Sequence, residues 1–417
     1  MRLSKIRLNI FILVLVFFSA LFFSCTESIV NPPPSQIDNE FTELAREFLS
    51  NKGINLDLNN DNTFVVIPDS IVINNEIIFT GESHGVKESL DIELNLLKYL
   101  NRKYKTRYLL LELGYSTSQL LNNYLETGNK EILKNIFKWL EGTYYWTNEQ
   151  YNKWIDLHEY NKLLPDDEKI ICVGVDVEHQ YLSAIDYLET ILPDGEPPEE
   201  IKYIIDELIN NYISDKFQVE IFVDKFKTEL EVNRLLLEEY LGESYFDFEI
   251  VINGIDKLFN WSDSRDYNTR DGFMYDAFLK LYSKLLNGKY YGHFGNSHIL
   301  QRPVAGTNWF AGRLNAKDSP VEGRIHSIKL LYKNCKAITT PSYATTICNT
   351  VPNYFNVFNE SNLEEITFFS LAGGDSPFQD TSLVKYYENE SGFEFPITEY
   401  FESIILIQNG NAMTPLN

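Results

Sequence analysis

Basic charge is scarce in this chain. Its 417 residues carry 36 lysines and arginines against 60 aspartates and glutamates, a formal net charge of -24. Such a chain repels phosphate backbones and anionic headgroups, so neither nucleic acid nor an anionic lipid surface is expected as a partner through charge. Cysteine is scarce too, four in all, and no HExxH or paired CxxC occurs. The common zinc signatures are therefore missing. There is no repeat of fixed period, and past the first 25 residues no run is long and apolar enough to span a bilayer. Core material is plentiful: 44% of residues are hydrophobic and 14% aromatic. That suffices for one large α/β domain or two smaller ones.

The N-terminus reads as a targeting segment. Arg2, Lys5 and Arg7 precede the apolar run LNIFILVLVFFSALFF, which ends at Ser24 and Cys25. A basic start, a short apolar stretch and a small residue at the break are the marks of a secretory signal. The cysteine after Ser24 makes residues 1–24 resemble a bacterial lipoprotein signal, although position 22 is Phe where a smaller aliphatic residue is usual. Cys25 is then the lipidated first residue of the mature chain, and residues 25–37, with their proline run, an extended tether. The expected location is extracytoplasmic, on a bacterial envelope, with the membrane reached through the N-terminal lipid only. In that setting Cys335 and Cys348, which flank the turn-rich KAITTPSYATTI, are expected to form a disulfide, two unpaired buried thiols being the alternative. Cys172, inside KIICVGV, is expected in the core.

Four apolar runs each end in residues that carry chemistry. EIIFTGESHG delivers Glu82 and His84, and RYLLLELGYS delivers Glu112. KIICVGVDVEH delivers Asp176, Glu178 and His179, and KYYGHFGNSH delivers His293 and His298. Short, nearly continuous apolar runs predict strands buried on both faces. Helical patterns follow: Leu90, Leu94 and Leu97 share one face after the first run, and Leu120, Leu121 and Tyr124 after the second. Strands alternating with helices predict a largely parallel central sheet flanked by helices. ITFFSLAGG and SIILIQNG read as two further strands. Residues from about 180 to 288 read as a helical insertion covering the carboxyl edge of the sheet, with residues 115–160 adding to that cover. Ligands of such sheets bind beyond the carboxyl ends of the strands, so the four segments are expected to meet at one edge.

His84 is placed between Gly81 and Gly85 at the start of a helix predicted near Gly85. A helix amino end disfavours imidazolium and keeps the ring able to accept a proton. Glu82 or Glu112 is expected to orient it. Glu88, one turn on, is expected to contact His84 or cap the helix. Glu112 follows three leucines, and Asp176 lies in VGVDV; charges there need partners, and Arg270 is a candidate. His298 follows a turn past the strand end and is expected in the site, while His293 is either a core or a site residue. Arg270 and the adjacent Asp271 are expected near that strand, Arg270 holding an oxyanion, a substrate carboxylate or the buried acids.

GESHGVKE, LLLELG, YYWTNEQYNKWIDLHEYN, VGVDV, TRDGFM and GNSH occur in an order that resembles the erythromycin esterase-like family, over about residues 76 to 300. The resemblance implies hydrolysis of an ester bond, as in the lactone of macrolide antibiotics, by a histidine acting as general base on water. By that resemblance His84 is the base, Glu82, Glu88 and Glu112 are acidic site residues, His298 is the second histidine of an H-N-x-H turn, and Arg270 and Asp271 are an R-D pair. Three positions depart from the pattern. Glu82 and His84 are two apart instead of three, Gly295 stands at the first histidine of the turn, and His158 stands where an arginine is expected. The G-E-x-H start is also similar to ChaN-like and TraB-type proteins, which bind haem or act as metal-dependent proteases.

The expectation is therefore a lipid-anchored α/β domain, residues 38–417, that hydrolyses an ester or lactone of a small molecule without a cofactor. Its catalytic set is His84, Glu82, Glu112, His298 and Arg270, supported by Glu88, Asp176, His293 and Asp271. Two alternatives stay open at this point: a haem- or metal-binding lipoprotein or metal-dependent hydrolase, and a non-catalytic surface-binding module.

Overall fold

The structure, a computed structural model, describes residues 39–416 apart from positions 61, 211, 212, 214, 286, 287, 356, 357 and 359–362. The expected signal segment 1–24, the lipidation site Cys25 and the tether 25–37 lie outside the described residues. No helix among the described residues is long and apolar enough to cross a membrane.

The centre is an eight-stranded sheet built from β1 (Ile54–Asn55), β2 (Ile77–Glu82), β3 (Thr106–Gly114), β4 (Ile171–Asp176), β5 (Lys289–Gly295), β6 (Ile325–Lys333), β9 (Ile366–Ser370) and β10 (Ser403–Gln408). The order across the sheet is β1-β9-β10-β6-β2-β5-β3-β4. The five pairings from β10 to β4 are parallel, and only β9 runs against its neighbours. A separate hairpin pairs β7 (Cys335–Ile338) with β8 (Thr345–Cys348).

The apolar runs form strands because both of their faces are covered. Leu110 of β3 joins one core with Ile77, Phe79, Val175 and Phe294, while Leu109 and Leu111 join the other with Ile78, Cys172 and Tyr291. Alternate residues thus enter opposite cores, each fully buried leucine contributing roughly 1.5–3 kcal/mol. β2 leads to β3 through the helix Lys87–Tyr104, whose Leu96, Leu97 and Leu100 pack in the second core. β5 leads to β6 through residues that include Phe310, in the first core. The connections of neighbouring β2 and β5 therefore leave for opposite faces. Such a divergence beyond the carboxyl ends of neighbouring strands is the place where open α/β sheets bind ligands.

Among the described residues between β4 and β5, six α-helices follow one another: Tyr181–Thr190, Glu199–Ile209, Lys216–Val232, Arg234–Leu241, Tyr245–Ser264 and Tyr267–Tyr282. They pack on one another through rings such as Phe226 and Phe248, stacked at 5.4 Å. The helix Tyr245–Ser264 caps the end of β4, where Gly254 O accepts a hydrogen bond from Glu178 N at 3.3 Å. This is the expected helical insertion over the carboxyl edge.

Several expectations are corrected. β6 is a central strand in a stretch whose sequence offered no clear assignment. The helix after β2 begins at Lys87, because Gly85, at φ +94°, makes a turn first. The helices of residues 115–160 pack mainly into the second core through Leu121, Phe137, Trp154 and Leu157; the start of the first, at Ser116, and their connector, at Tyr144, lie at the carboxyl edge. Cys335 and Cys348 face each other across β7 and β8, yet both are free thiols. The Cys335 thiol turns instead toward the end of β10, where it donates to Ile407 O (3.3 Å) and accepts from Gly410 N (3.3 Å).

Candidate active site at the carboxyl edge

The ends of β2, β3, β4 and β5 bring their acids and histidines into one connected network. On β2, Glu82 is buried, and its Oε1 lies 2.8 Å from His84 Nδ1. The His84 side chain is 33% exposed, the most open member of the group. Burial would raise the Glu82 carboxyl, but the imidazoles of His293 and His84 outweigh burial and hold it well below the usual range. Ionised, Glu82 can only accept, so Nδ1 of His84 carries the proton and Nε2 is left as the acceptor. Burial alone would lower the pKa of His84; the Glu82 carboxylate, reinforced by Glu112, raises it above the ordinary 6.5.

Glu112 owes its aim to a β-bulge. Leu111 pairs with Gly174 and Gly114 with Asp176, so β3 spends three residues where β4 spends two. The extra residue turns Glu112 along the strand ends. Its Oε2 accepts from Gly295 N (2.7 Å) and its Oε1 from Arg270 Nη2 (2.8 Å). Burial pushes the Glu112 carboxyl up, and His298 with Arg270 more than offsets this. Glycine is required where the bulge meets β4: a Cβ on Gly174 would stand 2.4 Å from Gly114 O.

Arg270, on the helix Tyr267–Tyr282, donates through Nε to Asp176 Oδ1 (2.9 Å) and through Nη2 to Asp176 Oδ2 and Glu112. It bridges the two buried carboxylates; Asp176 Oδ2 also lies 3.3 Å from His179 Nε2. The Trp261 ring lies 5.2 Å from its guanidinium carbon. Next in sequence, Asp271 Oδ1 accepts from His298 Nδ1 (2.8 Å) and Phe310 N (2.7 Å). His298 Nε2 is 3.4 Å from Glu112 Oε1. Burial works against charge on His298, but Asp271 and Glu112 raise its pKa to about 10. His298 is therefore an imidazolium at neutral pH.

These groups close around one point. A Cβ placed on Gly295 would lie 3.5 Å from His298 Cδ2, 3.6 Å from Glu112 Oε2 and 3.7 Å from His84 Nε2. Because residue 295 is glycine, this space among a free imidazole nitrogen, a carboxylate and an imidazolium belongs to no side chain. Tyr144 stacks on His84 at 5.2 Å, and Trp309 meets His298 edge to face at 5.7 Å. Among the described residues, no three histidine, cysteine, aspartate or glutamate side chains are placed to hold one metal ion.

Of the residues read from sequence, the structure brings together Glu82, His84, Glu112, Asp176, Arg270, Asp271, His293 and His298, with His179 joined through Asp176 Oδ2 at 3.3 Å. It does not bring Glu88, which lies in the first turn of its helix and accepts from Asn411 N (2.8 Å) and Nδ2 (2.9 Å), fastening the C-terminal segment. His158 bonds Leu125 O (2.9 Å) and packs on Gly128, outside this network. Glu178 holds Ser116 N (2.9 Å) and Oγ (2.6 Å) at the start of the helix Tyr115–Thr127, and burial raises its carboxyl to about 7. Sequence reasoning missed Thr80, Tyr144, Tyr291, Trp261 and Trp309. Two signals pointed toward them: Thr80 alternates with Glu82 on one strand, and Tyr144 opens the YYWTNEQYNKWIDLHEYN segment.

Among solved structures, the chain is similar to a protein of Bacillus cereus (16% identity, 90% of this chain and 99% of that one, TM-score 0.64). It is also similar to a succinoglycan biosynthesis protein (15% identity, 91% and 100%, TM-score 0.64). A third is a mutant of the erythromycin esterase EreC in its open conformation (15% identity, 86% and 96%, TM-score 0.62). No family model matches the chain, and no characterised protein matches it by sequence. The chain is an α/β protein that shares its fold with an erythromycin esterase.

Proposed function

We propose that this protein hydrolyses an ester or lactone bond in a small molecule, with His84 as general base on water. The observation that carries the reading is the His84–Glu82 pair, whose outer nitrogen faces the space bordered by Gly295, Glu112 and His298. His84 Nε2 takes a proton from water, and the hydroxide oxygen bonds to the carbonyl carbon. Glu82 supports the imidazolium that forms. His298, already cationic, stabilises the negative charge on the carbonyl oxygen. The bond from carbon to the alkoxide oxygen then breaks, and the alkoxide takes the proton back from His84. Arg270 fixes Asp176 and Glu112 and acts on the reaction only through them. The shared fold with an erythromycin esterase supports this reaction class. Tethering through a lipid on Cys25 is part of the proposal and rests on the sequence.

A panel of carboxylic esters and lactones incubated with the full chain and with His84→Gln tests the reading. Hydrolysis of at least one member by the wild type, reduced about 10²–10⁴-fold in the variant, is the expected result. Equal rates in the two proteins would refute His84 as the base.

A further inference from the structure

Beneath Glu82 a line of hydroxyls and an imidazole runs into the core. On β5, His293 pairs in register with Thr80 of β2. His293 Nδ1 is 2.7 Å from Thr80 Oγ1, and Thr80 Oγ1 is 2.7 Å from Tyr291 Oη. Thr80 and Tyr291 are completely buried, and His293 is 7% exposed. On its other side, His293 Nε2 is 3.4 Å from Glu82 Oε2. Among the described residues neither of these buried atoms has a hydrogen-bond partner, and each faces the other.

We propose that Tyr291, Thr80 and His293 form a buried hydrogen-bond relay that fixes the tautomer of His293 and thereby positions Glu82 against His84. The direction follows from counting hydrogens. The buried phenol of Tyr291 keeps its proton and has one acceptor in reach, Thr80 Oγ1. Thr80, having accepted, has its single hydrogen left for His293 Nδ1. His293 is then the neutral Nε2–H tautomer, with its one N–H aimed at Glu82 Oε2. Glu82 Oε1 thus takes His84 Nδ1–H, while Oε2 faces His293 Nε2–H across a 3.4 Å contact. None of the three acts on substrate; they are positioning residues. Their consequence for rate rests on the proposed role of His84, whereas the relay itself does not.

Other charged and titratable groups face this line from every side. Glu112 on β3 and His298 beyond β5 act on His84. Tyr145, on the connector above the edge, lies in the field of Glu112 and Glu82. Tyr332 on β6 lies in that of Glu82, and Glu93, paired with Lys153, faces Tyr291. None of them hydrogen-bonds Thr80 or His293 Nδ1 among the described contacts, so the direction of the relay is set by Tyr291.

Nitrogen-15 NMR of the histidines of the full chain tests this without any substrate. At neutral pH His293 is expected as the Nε2–H tautomer; the Nδ1–H tautomer or an imidazolium would overturn the relay, and this reading needs no variant. In Tyr291→Phe, which keeps the ring, Thr80 is free to accept from Nδ1, so His293 is expected to gain an Nδ1–H signal and the His84 titration to move with the change at Glu82. Thr80→Ser, which keeps the hydroxyl, is expected to leave both histidines unchanged. No shift in Tyr291→Phe, or an equal shift in Thr80→Ser, would contradict the relay. If the shifts occur and no ester is hydrolysed, the relay stands and the hydrolase reading falls; hydrolysis without the shifts gives the converse.

Discussion

A histidine serves as a base near neutral pH when one nitrogen is held by a carboxylate and the other is open. His84 meets both conditions, and its raised pKa has a consequence whose sign is fixed. The base must be neutral to work, so kcat/KM is expected to rise with pH along a limb centred above 6.5. Removing its partner in Glu82→Gln takes away the main source of that rise and should move the limb down. Arg270 makes a different prediction. It is the cation that buried Asp176 and Glu112 share, so Arg270→Met removes the charge facing Asp176 and leaves Glu112 with His298 alone. The expected cost is about 3–5 kcal/mol, read from urea or thermal unfolding. Arg270→Lys should recover part of it, since lysine restores the charge but lacks the fork.

The bulge in β3 and the glycines around it set the geometry at the scale of the elements. Gly174→Ala forces a methyl against Gly114 O, a backbone atom that cannot swing aside. A loss of about 1–3 kcal/mol is expected, with activity falling further as Glu112 is re-aimed. Gly295→Ala is the contrasting case: its methyl meets only ordinary contacts at 3.5–3.7 Å, so stability should hold while the substituted carbon stands in the proposed reaction space. Unfolding midpoints and rates of the two variants separate these outcomes. The same elements show what a sequence can reveal. The ends of β2, β3, β4 and β5 were legible because each apolar run is closed by acids or histidines. β6 was not legible, because His326, Ser327 and Lys329 interrupt its apolar pattern. The first two find partners only in the folded chain, His326 at Ser403 Oγ and Ser327 at Ile299 O. The bulge and the contact of Glu82 with His293 are properties of strand pairing, which one strand's sequence does not encode.

For the whole molecule, buried ionisable groups link stability to pH. His298 has a folded pKa of about 10 against an ordinary 6.5. Its contribution is fully present below 6.5 and is lost as pH rises toward 10. Glu178 and Glu402, both raised to about 7 by burial, also favour the folded state less as pH rises from 4.5 to 7. Glu82, Glu112 and Asp176 act oppositely, their contribution being lost as pH falls below the ordinary carboxylate range. Melting temperature should therefore decline from pH 7 to 10, and His298→Asn should flatten that decline. At the other end of the chain, the tether proposal predicts that radiolabelled palmitate enters the wild type in bacterial cells and is absent from Cys25→Ser.

The most direct test of the account joins its chemistry to its electrostatics. The pKa of His84 is measured by NMR titration of the full chain, and the pH dependence of kcat/KM is measured on whichever ester or lactone it hydrolyses. The account predicts that the two midpoints coincide above 6.5 and that both move down together in Glu82→Gln. An acidic limb that does not coincide with the His84 titration, or that stays in place when Glu82 is replaced, would contradict it.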